Sequence, residues 1–126
     1  MSTFHALAWV DHQQAQIFQF DAQHVESQKI RPHSRHTKQH GSAVRSEHEY
    51  FAEVCDGLAG ITEVLVVGPK TGLADFRHYV EKHRPAALKQ IVGWEAHEHA
   101  TENQLVALAR QFFLKYDRMA GTPTPS

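Results

Sequence analysis

Six residues, Glu63 to Gly68 (EVLVVG), constrain this chain more than any other stretch. Val64 to Val67 form an unbroken aliphatic run, three of the four β-branched, with no polar alternation. A strand of that kind hides both faces from water only inside a sheet that is flanked by other strands and covered above and below. The chain has 126 residues, enough for one domain with a real core and too few for two ordinary ones.

The rest of the sequence supplies the missing parts. Ala6–Val10 is a short apolar run, Ala15–Phe20 alternates, and His24–Ile30 reads as a third strand. The polar turns Asp11–Gln14 and Asp21–Gln23 between them predict an antiparallel meander. Tyr50, Phe51, Val54, Cys55 and Leu58 then fall at helical spacing. They predict a helix over 47–59 opened by a capping box from Ser46 to Glu49 and ended by Gly60. After the EVLVVG strand, Thr71 can begin a second helix, with Leu73, Phe76, Val80 and His83 along one side. Leu88–Trp94 reads as the last strand. A capping box at Thr101–Gln104 opens a third helix, with Leu105, Leu108, Phe112 and Tyr116 inward. The expected fold is a single α/β domain over 1–119, a sandwich of a mixed five-stranded sheet with three helices. The tail, 120–126, is expected to be disordered.

Composition narrows the class. Hydrophobic residues make up 41% and charged residues 21%, ordinary for a soluble globular protein. No secretory signal pattern and no run near the ~20 apolar residues of a membrane span is present. The single cysteine, Cys55, excludes an internal disulfide and a cysteine-rich zinc site. A cytoplasmic protein is expected. The net charge of −1 excludes a general polyanion binder.

The charge is nevertheless uneven. Residues 31–48 carry Arg31, Arg35, Lys38 and Arg45 against Glu47 alone, and His33, His36, His40 and His48 add to that below their pKa of ~6.5. This basic, histidine-rich loop over 31–45 suggests a local anionic partner such as RNA, with Arg31, Arg35, Lys38, Arg45 and His40 as contacts. The same loop admits a metal reading. His33, His36 and His40 are spaced to offer imidazoles to zinc or nickel, and His97 and His99 could add ligands. A two-metal nuclease needs converging carboxylates. Asp11 and Glu47 or Glu49 could supply two, but the central strand ends VVGPK without a third, which excludes that chemistry. GPKTG (68–72) departs from the phosphate-loop pattern GxxxxGK[ST]. Cys55, on the apolar face of its helix, reads as a small buried hydrophobe.

The order of segments resembles a known family. The stretches WVDHQQAQIFQF, RPHSRHTKQHGSAVRSEHEYFAEVCDGL, VLVVGPKTGLADFRHYVEKHRPAALKQIVG and HATENQLVALARQFF, nearly all of residues 6–113, are similar to the middle domain of the eukaryotic and archaeal class-1 peptide-chain release factor and Pelota. The likeness is closest to small bacterial stand-alone members, the translational machinery proteins. It implies a ribonuclease H-like fold and a ribosome or tRNA partner. In the release factor a Gly-Gly-Gln motif positions water on the ester of peptidyl-tRNA. Here the corresponding stretch is KQHGSA (38–43), where Gln39 precedes Gly41, so that glutamine's role does not transfer. The codon-reading and factor-binding domains of the large proteins are absent from these residues as well.

The expectation is a non-catalytic, translation-associated RNA- or ribosome-binding domain. A divalent-metal-binding protein, or a hydrolase of tRNA or nucleotide esters using a histidine as general base, stands as the alternative.

Overall fold

The computed structural model of the chain describes residues 5–20, 25–32 and 42–119. The elements run β1 (His5–Val10), β2 (Ala15–Phe20), β3 (Val25–Ile30), α1 (Ser42–Gly57), β4 (Glu63–Gly68), α2 (Lys70–His83), α3 (Pro85–Gln90), β5 (Ile91–Ala96) and α4 (Glu102–Met119). They form a five-stranded mixed sheet of order β3-β2-β1-β4-β5, with helices on both faces. β1, β2 and β3 pair antiparallel, whereas β4 lies parallel to both β1 and β5.

All six residues of β4 are buried, as an interior strand covered on both faces requires. The two faces hold separate cores. Ala6, Ala8, Val10, Ile17, Val64 and Val66 pack against Tyr50, Phe51 and Val54 of α1 and Phe76 and Val80 of α2. On the other face Leu7, Phe18, Leu65 and Val67 pack against Leu105, Ala109 and Phe113 of α4. β3 closes one edge with five exposed residues and only Ile30 buried, a polar composition that discourages pairing with another chain.

Among the described residues four helices stand where three were expected, and two element starts move by three residues or more. α1 begins at Ser42, so Ser46–Glu49 lies inside the helix and caps nothing. Leu88–Gln90, expected as strand, belongs to the short helix α3, which Pro85 opens from the first helical position. The strand starts only at Ile91. In α4 the fully buried row is Leu105, Ala109 and Phe113, with Leu108 and Phe112 packed half-buried beside it. His83 is exposed on α2, where Tyr79 takes the buried place. The Thr101–Gln104 box forms as read: the Thr101 N–H donates to Gln104 Oε1 at 2.8 Å and the Gln104 N–H to Thr101 Oγ1 at 3.1 Å. Residues 33–41, the core of the basic loop, and the tail lie outside the described residues.

Candidate functional site

The parallel strands determine which end of the molecule collects polar groups. β3, β1, β4 and β5 all point the same way, so the segments leading into α1, α2 and α4 leave from one end of the sheet. Three helix N-termini, each the positive end of a dipole, therefore gather at that end. In open α/β sheets this is the side where ligands bind.

The β1–β2 turn anchors the site. Asp11 Oδ1 accepts from the N–H groups of Gln13 and Gln14, both at 2.7 Å, and Oδ2 accepts from Trp9 Nε1 at 3.0 Å. The Asp11 carboxylate is thus held as a turn former, not aimed at a substrate. Gly68 at the end of β4 passes so close to β1 that a Cβ there would collide with the Val10 carbonyl oxygen. The Gly68 carbonyl accepts from the His97 N–H at 2.8 Å, tying the exit of β5 to the same end.

Two features flank this turn. On the α4 side lies a cleft of about 740 Å³, walled by Trp9, Gln16, Glu98, His99 and the first turn of α4. Asp11, Glu98 and Glu102 make its rim acidic. Gln16 is 7% exposed, and its Nε2 has no hydrogen-bond partner among the described residues, an uncommon condition for a buried donor. On the α1/α2 side, His12 of the turn, Glu47 of α1 and Asp75 of α2 converge, with their ligand-capable atoms within 4.8 Å of one another. His12 Nε2 lies 2.8 Å from Asp75 Oδ2.

Of the residues proposed for RNA contact, Arg31 is exposed at the end of β3, on this same end of the sheet. Arg45 falls in the first turn of α1. Arg35, Lys38 and His40 lie outside the described residues, as do the proposed metal ligands His33 and His36. His97 pairs with Glu95 at 3.4 Å and His99 faces the cleft; neither joins a group of three ligands among the described residues. In the sequence Glu47 stands out only as a candidate nuclease carboxylate, and His12 and Asp75 do not stand out at all. The usable signal was placement: all three sit beside strand ends that the meander and the central strand bring to one side.

Cys55 behaves as expected. It is buried, and burial pushes its thiol up to about 11 from the ordinary 9.0, with Arg84 lowering it and Asp56 raising it to lesser degrees.

No protein-family model matches the sequence, and no curated protein matches it. Solved structures do. The fold is similar to Pelota from Archaeoglobus fulgidus, with a TM-score of 0.66 at 14% identity over 96% of this chain and 36% of that one. It is similar to the archaeal translation termination factor aRF1, with a TM-score of 0.57 at 17% identity over 93% of this chain and 41% of that one. An archaeal protein follows at 0.51 and 16% identity, over 93% and 41% of the two chains. This chain therefore spans well under half the length of each. The likeness defines the architecture as that of the release-factor middle domain.

Proposed function

We propose that this chain is a translation-associated domain that binds RNA of the ribosome or tRNA through the segment 31–45. The observation that carries the reading is that nearly the whole chain shares its fold with Pelota and with a translation termination factor. The charge supports it. Arg31, Arg35 and Lys38 lie in the segment that joins β3 to α1, and Arg45 lies in the first turn of α1. Basic side chains and helix N-termini are the usual partners of phosphate oxygens.

Binding of this kind positions the domain and does not by itself break bonds. The sequence contains no Gly-Gly-Gln, so the reading includes no hydrolysis of peptidyl-tRNA by that motif. Imidazoles of His33, His36 and His40 add positive charge when protonated, strengthening contact with phosphate. Among the described residues no helix is long and apolar enough to cross a membrane.

Fluorescence anisotropy with labelled tRNA across a salt series tests the reading. Four neutralised phosphates give a slope of log K against log salt of about −3. A salt-independent affinity, or no binding at low salt, contradicts it.

A further inference from the structure

We propose that His12, Glu47 and Asp75 form a binding site for one divalent transition-metal ion, with zinc as its representative. The three residues lie far apart in sequence and come from three different elements: the β1–β2 turn, α1 and α2. Their ligand-capable atoms all fall within 4.8 Å of one another.

Packing outside the cluster holds each ligand in place. Tyr50, three residues after Glu47 and on the same side of α1, donates through its hydroxyl to the Asp11 carbonyl at 2.7 Å. That bond places the Glu47 turn of the helix over the β1–β2 turn. Gly72, three residues before Asp75, brings α2 so close to the turn that a Cβ there would stand 3.1 Å from Asp11 Cα. Both helices thus meet Asp11, the residue next to His12, by contacts whose helical spacing also presents a carboxylate to His12.

The donor set selects the ion. Two carboxylates and a neutral imidazole carry two negative charges, which a divalent cation balances. One nitrogen and two oxygens suit zinc or its first-row neighbours better than the all-oxygen preference of calcium or magnesium. Ligands about 2.1 Å from a tetrahedral zinc ion stand ~3.4 Å apart, so the 2.8 Å His12–Asp75 contact opens only slightly to admit one. His12 and Asp75 are 45% and 53% exposed, leaving the ion's remaining positions open to water or to an oxygen of a partner. The site uses none of the histidines of segment 31–45, and it does not rest on the proposed RNA binding.

The test is calorimetric titration of the untagged chain with zinc chloride at neutral pH, in a background where His33, His36 and His40 are all replaced by alanine. That background is expected to bind one zinc ion. His12→Ala, Asp75→Asn and Glu47→Gln, each added to it, are expected to weaken the ion about tenfold or more. Melting of the metal-free chains should not change, since these side chains are at least partly exposed. Cobalt gives a second readout: its visible absorption band should appear in the background chain and vanish on adding His12→Ala. No zinc bound by the background chain, or zinc affinity untouched by all three further substitutions, overturns the proposal and leaves His12–Asp75 as a simple hydrogen-bonded pair.

Discussion

The hydroxyl of Tyr50, in the middle of α1, donates a 2.7 Å hydrogen bond to the main-chain carbonyl of Asp11 at the end of β1. Tyr50 is 1% exposed, so this buried group has found its partner across the sheet–helix boundary. The bond joins the first helix to the turn around which the polar end of the molecule is built. Tyr50→Phe keeps the ring and removes the bond. It should lower unfolding free energy by about 1–2 kcal/mol, read from urea denaturation with an unchanged m-value.

Burial also raises the Tyr50 phenol above its ordinary 10.0, with the Asp11 carboxylate adding to the effect, and pushes the Cys55 thiol up to about 11. Both groups are neutral when protonated. Above pH 9 the unfolded chain ionises Cys55 while the folded chain holds its proton, so stability is full below pH 9 and falls as pH rises towards 11. The Tyr50 contribution is lost above pH 10 in the same direction. Urea midpoints measured from pH 7 to 11 should decline over this window, and the decline should be shallower in Cys55→Ala. A midpoint that rises with pH contradicts the burial of both groups.

Gly68 allows β4 to run against the Val10 carbonyl with no room for a methyl group. The obstacle is main chain, which cannot rotate aside as a side chain does. Gly68→Ala should cost about 1–3 kcal/mol in thermal or chemical unfolding, although alanine has the higher intrinsic propensity for regular structure.

At the opposite end of the same sheet, His5 Nε2 lies 3.0 Å from Glu63 Oε1, and its ring stacks on Phe113 at 4.2 Å between centroids. The two side chains are only 14% and 11% exposed. His5→Leu removes one partner of a largely buried carboxylate and should destabilise by about 1–3 kcal/mol. The double change His5→Leu/Glu63→Leu should recover part of that loss, since removing both members of the pair is milder than removing one.

The parts of the fold visible in the sequence were those whose local pattern has one reading. EVLVVG can only be an interior strand, and the meander and the 50–58 stripe follow from simple periodicity. Thr101–Gln104 caps α4 because a helix does not extend upstream of it. Ser46–Glu49 has the same lettering yet sits within α1, because Ser42–Arg45 is equally able to be helical and local sequence cannot choose between two starts. Leu88–Gln90, one apolar residue followed by two polar ones, fits a strand or a helix equally, and the choice depended on Pro85 starting α3. In α4 two neighbouring apolar rows exist, and only contact with Leu7 and Leu65 shows which one is fully buried. The His12–Glu47–Asp75 group was invisible for a different reason. Its members lie far apart in the chain and are juxtaposed by packing, whereas the histidines of 31–45 attract attention through density alone.

The central claim is that segment 31–45 binds ribosomal or transfer RNA, and co-sedimentation with ribosomes across a salt series tests it most directly. The chain should pellet with ribosomes at low salt and dissociate steeply as salt rises, with Arg35→Ala/Lys38→Ala lowering the affinity and flattening the salt slope by about 2. Absence of the chain from the ribosomal pellet at low salt, or association indifferent to both salt and that double substitution, would contradict it.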